Sequence, residues 1–175
     1  KATDFNAILT TLKAKKPDVV FFGGMDAVAG PMLKQMKQLG IKAKFMGGDG
    51  ICSSGLVDLA GDGMSDEQVY CAEAGGVEGE AKAGMEKFKT DFKAKYNADV
   101  QVYAPYVYDS VKVMVEAMKA ANSSEPAKYL PKLKETNYKG VTGQIAFDEK
   151  GDIKNGALTL YTYKGGKRSE LAVIR

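Results

Sequence analysis

The sequence contains no histidine. That removes the commonest general base and the commonest zinc ligand. Only two cysteines occur, Cys52 and Cys71, and they lack the CxxC spacing of a thiolate metal site. No apolar run approaches the roughly 20 residues that a membrane helix needs. No GxGxxG follows a strand, and Gly50-Ile51-Cys52-Ser53-Ser54-Gly55 runs on into Leu56-Val57 without the Lys-Ser/Thr of a phosphate loop. No GxSxG nucleophile elbow occurs either. Charge of one sign is also scarce: 25 basic against 22 acidic residues leave a net +3, which implies no dedicated nucleic-acid surface. Lysine runs such as Lys13, Lys15, Lys16 and Lys87, Lys89, Lys93, Lys95 read as solvated helix faces. No signal peptide stands at Lys1, so the expectation is a chain that is not a full precursor.

What is present is an ordinary globular composition, 45% apolar and 27% charged over 175 residues, enough for a real core. Two glycine-anchored strand ends stand out: Phe21-Phe22-Gly23-Gly24-Met25-Asp26 and Phe45-Met46-Gly47-Gly48-Asp49-Gly50. Each reads as a short apolar strand running into a bare turn that ends on a carboxylate. In an open parallel sheet, ligands sit beyond the carboxyl ends of the strands. Two acids on that rim point to a cation-binding edge, and a ligand ammonium fits it.

The surrounding pattern supports this placement. Asp4 reads as an N-cap before Phe5, Ile8, Leu9 and Leu12 at helical spacing, and Pro17 stops that helix. Val19-Val20-Phe21-Phe22 is a continuous apolar run, as for a strand buried on both faces. A second helix turns Met32, Leu33, Met36 and Leu39 inward, with Pro31 in its early turns and Gly40 at C′. Phe45-Met46 is a second strand, Ser53 or Ser54 caps a brief helix through Leu56, Val57 and Leu59, and Gln68–Ala72 is a third strand. The rhythm of helix and strand argues for a parallel sheet with helical cover. It opens on a helix without a preceding strand, so the expectation is a chain cut from something longer.

Gly75-Gly76-Val77-Glu78-Gly79 marks a composition break. Beyond it one helix carries Met85, Phe88, Phe92 and Tyr96 on a stripe. Another runs from about Pro105 to Ala121 with Tyr108, Val111, Val115 and Met118 inward, and a third from Glu125 or Pro126 to about Glu135. The tail changes period. Gln144–Phe147 and Ala157–Tyr163 read as strands, Lys164-Gly165-Gly166-Lys167 as a hairpin turn, and Leu171–Ile174 as its return strand. Asp148-Glu149-Lys150-Gly151-Asp152 has part of a calcium loop, but it lacks the further oxygen ligands, and a β-turn is the favoured reading.

Each candidate residue has a structural alternative. Asp49 is either Asp-Gly turn chemistry or the charge complement of an ammonium. Asp26 either caps the following helix or adds a second negative charge. Tyr106 and Tyr108, two residues apart, cannot share a helix face, so one is core and the other is free to line a cleft; Tyr103 is a third contributor. The parity and separation of Cys52 and Cys71 fit one disulfide in an oxidising compartment, and a reduced pair is the alternative.

With these residues in view, the chain resembles the periplasmic amino-acid-binding proteins of ABC transporters for leucine, isoleucine and valine. The matching stretches are Asp4-Phe5-Asn6-Ala7 with Leu12-Lys13, Phe21-Phe22-Gly23-Gly24, Met32-Leu33-Lys34-Gln35 and Phe45–Gly50. Leu59-Ala60-Gly61-Asp62, Pro105-Tyr106-Val107-Tyr108 and Phe147–Asp152 continue the order. The resemblance implies an α/β type I periplasmic-binding fold of two lobes with doubly wound parallel sheets, joined by a hinge and closing on a ligand between them. It implies roughly the C-terminal half of such a protein. Residues 1–74 would form most of the second lobe, 75–154 a mainly helical return to the first, and 155–175 the strands that cross back. It further implies that Asp49 meets the ligand α-ammonium, that Tyr106 and Met25 wall its side chain, and that Asp26 adds charge nearby. Aspartate stands where some relatives carry glutamate, one methylene shorter in reach. Met25 stands where tyrosine is common, which exchanges a hydrogen bond for a polarizable wall. No cofactor or metal is implied. The implied partners are an amino acid, a membrane permease and the missing N-terminal half, without which exposed sheet edges and half an interlobe core are expected. A periplasmic address would let Cys52 and Cys71 pair. Two other readings stand beside this one: a sensor domain of the same fold, and an α/β enzyme using Asp26 and Asp49 as acid and base.

Overall fold

The computed structural model describes residues 3–76 and 80–175. Of the expected break at Gly75–Gly79, residues 77–79 lie outside the described residues. The chain divides into two compact units. The first comprises residues up to Ala74 together with Leu158–Ile174, and the second comprises Gly75–Ala157.

In the first unit, helices α1 (Asn6–Ala14), α2 (Asp26–Gln38) and α3 (Gly55–Ala60) alternate with strands β1 (Val19–Phe22), β2 (Lys44–Gly47) and β3 (Val69–Ala74). β1, β2 and β3 pair in parallel, with Phe22 opposite Gly47 and Gly47 opposite Cys71. The sheet is extended on the β3 side by an antiparallel hairpin from the tail of the chain. The core lies on one face of this sheet. Leu9, Leu33, Met36 and Leu56 from the helices meet Val20, Phe45, Val69 and Cys71 from the strands there. α2 ends as the sequence predicts: Gly40 N–H donates to the Lys37 carbonyl and Ile41 N–H to the Met36 carbonyl, the two bonds of a Schellman cap.

Two expectations for this unit are corrected. Asp4 does not cap α1, whose N-cap is Phe5. The Phe5 ring is buried and its N–H donates to Gln35 Oε1 at 2.7 Å, so a tertiary anchor sets the start of the helix. Asp4 instead accepts from Asn6 N–H at 3.0 Å. β1 is also not buried on both faces, because Val19 and Phe21 are 51% and 71% exposed. Strand alternation turns them away from the face on which α1–α3 gather, and nothing among the described residues of this unit covers them.

In the second unit, α4 (Glu80–Tyr96), α5 (Ala104–Ala121) and α6 (Pro126–Lys134) precede a small antiparallel hairpin of β4 (Asn137–Gly140) and β5 (Gly143–Ala146). β4 had no counterpart in the sequence reading. The aromatic stripe of α4 forms as expected, with Phe88 packing on Phe92 and Tyr108, and Phe92 on Tyr96. Lys87 and Lys89 sit in exposed ion pairs with Asp91 and Glu86, as a solvated face implies. The inward face of α5 is different from the expected one. Its buried residues are Pro105, Asp109, Val113 and Ala117, whereas Tyr108, Val111 and Val115 are exposed. The cause is Asp109, which is 1% exposed. Its carboxylate accepts Val141 N–H at 3.0 Å, Thr142 N–H at 2.7 Å and the Thr142 hydroxyl at 2.6 Å, and so ties α5 to the β4–β5 turn. The 148–152 segment is a turn, in which Asp148 Oδ1 accepts from Lys150 and Asp152 N–H groups, both at 2.9 Å. Among the described residues no group of three or more acids and cysteines is arranged to hold a metal ion, and no helix is long and apolar enough to cross a membrane.

The hairpin that completes the first unit pairs β6 (Leu158–Lys164) with β7 (Lys167–Ile174). Gly165 and Gly166 both have positive φ, 57° and 70°, as a two-residue turn of the I′ kind requires. A bulge after Leu160 shifts the register so that Tyr163 stands opposite Arg168.

Candidate functional site

The register of β1 on β2 sets the two glycine-anchored loops side by side at the carboxyl ends of the strands. After β1, Met25 is the N-cap of α2 and is half exposed, while Asp26 is the first helical residue. After β2, Asp49 opens a short 3-10 turn, Asp49–Ile51. The loops touch through bare backbone. A Cβ on Gly50 would lie 2.6 Å from the Gly24 carbonyl oxygen and 2.7 Å from Met25 Sδ, so no side chain larger than hydrogen fits without moving a loop. Glycine here is therefore a packing requirement that brings Met25 against the Asp49 turn.

The two acids have different roles. Asp26 is engaged: its carboxylate accepts Ala27 N–H at 2.7 Å and the Ser53 hydroxyl, bridging the β1 loop to the β2 loop. It does not cap α2 through its side chain, since the N-cap position belongs to Met25. Ser53 Oγ in turn accepts Leu56 N–H at 3.2 Å, so Ser53 and not the N-cap Ser54 supplies the hydroxyl at the start of α3. Asp49 is exposed, and its Oδ1 accepts Gly50 N–H at 3.0 Å. Among the described residues no lysine or arginine pairs with it. It is a carboxylate held at the rim and open to a cation from outside.

The turn beneath Asp49 is fixed from several sides. Cys52 N–H donates to the Asp49 carbonyl at 2.9 Å, and Cys52 is disulfide-bonded to Cys71 of β3, with both residues fully buried. The Tyr163 hydroxyl lies 2.8 Å from the carbonyl oxygens of both Ile51 and Ser53. Arg168 Nη1 donates to the Cys52 carbonyl at 2.6 Å and pairs with the Glu73 carboxylate, while its guanidinium lies 4.3 Å from the Tyr161 ring centroid. Burial pushes the Tyr163 phenol well above its ordinary range; Arg168 opposes the shift, and Glu73 and Asp26 add to it. Sequence reasoning missed Tyr163, Arg168 and Glu73, and no local signal marks them, because Tyr163 and Arg168 reach the turn across 110–116 residues of chain and Glu73 meets Arg168 across 95.

Tyr106 belongs to the second unit, in the first turn of α5. It is half buried, its carbonyl accepts the Ser110 hydroxyl at 2.8 Å, and its own hydroxyl lies against the Gly75 backbone. Tyr103 and Tyr108, on the same stretch, are 44% and 42% exposed. The structure therefore gathers Met25, Asp26 and Asp49 on one rim of the first unit and places Tyr106 in the other.

Similarity to known proteins runs along the whole chain. The family model described as periplasmic binding protein matches residues 1–168. A Leu/Ile/Val-binding protein homolog 1 of Brucella abortus is 35% identical over 164 residues, 93% of this chain and 43% of that protein. A leucine-, isoleucine-, valine-, threonine- and alanine-binding protein of Pseudomonas aeruginosa is 32% identical over 96% of this chain and 44% of its own length. Among solved structures, a leucine-binding protein from Thermotoga maritima superposes with a TM-score of 0.82 at 25% identity, covering 99% of this chain and 49% of that one. The branched-chain amino acid transporter substrate-binding protein LivJ of Streptococcus pneumoniae, solved with isoleucine, gives 0.79 at 28% identity, with 99% and 48% covered. The chain thus spans a little under half the length of these relatives. A sheet with three parallel strands covered by helices on one face, loops gathered at its carboxyl rim and a family match over nearly every residue lead to one conclusion: this chain belongs to the periplasmic binding protein family.

Proposed function

We propose that this chain is part of an extracytoplasmic solute-binding protein that captures branched-chain or other apolar amino acids for uptake by an ABC transporter, without chemical conversion of the ligand. The observation that carries this reading is Asp49, an exposed carboxylate with no cationic partner among the described residues, fixed at the carboxyl rim of a parallel sheet beside the thioether of Met25. A carboxylate there complements an α-ammonium through charge-assisted hydrogen bonds, and Met25 offers an adaptable apolar wall. Asp26, committed to Ser53 and Ala27, orders the loops and adds negative potential. Tyr106, the aromatic that the family resemblance assigns to the pocket wall, lies in the second unit. The names of the relatives, binders of leucine, isoleucine and valine, fit this chemistry. The Cys52–Cys71 disulfide fits an oxidising compartment outside the cytoplasm. The uncovered apolar residues Val19 and Phe21 offer a face for the remainder of a protein about twice as long to pack on. The membrane permease is the partner that receives the ligand.

The test is calorimetric titration of leucine into the full-length protein. Asp49→Ala is expected to weaken binding by about 2 kcal/mol or more, the scale of a lost charge-assisted bond that leaves a buried ammonium unpaired. Unchanged affinity would reject the role of Asp49 and with it the amino-acid assignment. Recovery of the bound ligand unaltered after long incubation separates a binder from an enzyme.

A further inference from the structure

The turn that carries Asp49 presents a problem of its own. Gly50, Ile51 and Cys52 are buried, so their peptide groups need partners. Among the described residues, the turn and cap bonds give the Ile51 and Cys52 carbonyls no backbone partner, and the Ser53 carbonyl accepts Leu56 N–H at 3.3 Å. Two side chains from the antiparallel half of the sheet reach all three. Register places Tyr163 of β6 directly opposite Arg168 of β7, and neighbouring strands share faces at paired positions. From that pair, the Tyr163 hydroxyl spans the Ile51 and Ser53 carbonyls and Arg168 takes the Cys52 carbonyl between them. Arg168 is itself held by the Glu73 carboxylate, 11% exposed at its side chain, and stacks on the Tyr161 ring. The shifted register after Leu160 is what aligns Tyr163 with Arg168. Three consecutive carbonyls are thus met by two side chains, Tyr163, which is also part of the buried core, and Arg168, which is held by Glu73.

We propose that Tyr163 and Arg168, with Glu73 behind them, are positioning residues for ligand recognition: the β6–β7 hairpin clamps carbonyls 51–53 and thereby fixes where the Asp49 carboxylate meets the ligand ammonium. Neither residue touches ligand; both act through the turn. The proposal rests on the reading of Asp49 given above. It differs from a plain packing role because the contacts made are polar and directed at one loop, so removing a single hydroxyl leaves the core volume of Tyr163 nearly unchanged.

The experiment is a double-mutant cycle for leucine binding in the full-length, oxidised protein, measured by calorimetry with thermal unfolding in parallel. Tyr163→Phe is expected to weaken binding about fivefold to tenfold, the scale of one net hydrogen bond. In the Asp49→Asn background the same change is expected to cost less than twofold, because the carboxylate it positions is gone. The paired variant Arg168→Met with Glu73→Gln, which removes the cation without leaving a bare buried acid, is expected to behave in the same way. It also serves as the second probe if Tyr163→Phe folds poorly. Additive effects, with Tyr163→Phe costing the same with and without the Asp49 carboxylate, would overturn the proposal. So would affinity within twofold of the parent in both clamp variants while Asp49→Ala is strongly weakened, a result that leaves the assignment of Asp49 intact. Leucine binding unaffected by Asp49→Ala overturns both readings together.

Discussion

Replacing both Cys52 and Cys71 by alanine is the perturbation whose size the structure fixes best. The bond joins the exit of the Asp49 turn to the middle of β3, with a Cα–Cα distance of 5.5 Å and a sequence separation of 19. Opening it releases a loop of about 20 residues in the unfolded chain. The chain-entropy relation then gives close to 11 cal/mol/K, or about 3 kcal/mol at 25 °C. Both sulfurs are fully buried within the main core, so their loss adds a small void and raises the cost somewhat. Against a total stability of about 5–15 kcal/mol this is a large fraction. The assay is urea unfolding of the full-length protein followed by circular dichroism, oxidised parent against double variant. With a slope of about 2–3 kcal/mol/M, the midpoint of the transition that reports this unit is expected to fall by about 1–1.5 M. A fall of less than about 0.3 M would refute the reasoning, since it would mean that the loop closed by the bond is already ordered in the unfolded ensemble.

Gly50→Ala forces a methyl within 2.6 Å of the Gly24 carbonyl oxygen, so the two rim loops must separate; leucine affinity in the full-length protein is expected to fall at least tenfold by calorimetry, with the far-UV spectrum retained. Asp109→Asn turns an amide toward donors that now meet a carboxylate, leaving at least one of the Val141 and Thr142 N–H groups unpaired at a cost of about 2–4 kcal/mol. Amide hydrogen exchange at Val141 and Thr142 is expected to accelerate, and unchanged protection there would count against Asp109 as the anchor of the β4–β5 turn. Burial raises the Tyr163 phenol above its ordinary value of about 10. Its contribution to stability is therefore complete below pH 10 and is lost as the pH climbs from there toward the raised value. Denaturant midpoints measured between pH 8 and 11.5 should decline less steeply for Tyr163→Phe than for the parent; parallel declines would sink this account.

Much of the fold is legible along the chain because it is decided locally. Val19–Phe22, Phe45-Met46 and the third strand announce themselves by apolar runs between glycine and polar turns. Gly40 marks the end of α2 because its backbone must reverse there, and the Gly165-Gly166 pair dictates a tight hairpin. Asp49 is visible as a candidate for the same reason: a Gly-Gly-Asp-Gly run after a short apolar strand can be little else than a turn at the sheet rim. Each of these signals involves residues only a few positions apart, whose sterics and hydrogen bonds close on themselves.

Tertiary structure decided what depends on partners distant in sequence. Hydrophobic spacing assigns Tyr108, Val111 and Val115 to the inside of α5, yet the helix buries Asp109, Val113 and Ala117, because a β-turn more than thirty residues later offers the N–H groups that make a buried carboxylate stable. The same holds at the rim. Asp26 looks equivalent to Asp49 in sequence, and only the approach of Ser53 commits it to a structural bond while Asp49 stays open. The clamp of Tyr163, Arg168 and Glu73 lies in ordinary strand sequence, where nothing distinguishes those residues from any alternating tyrosine, arginine or glutamate. Periodicity reports which side chains are apolar; it carries no information about which distant backbone groups will need a partner, and that need fixed the site.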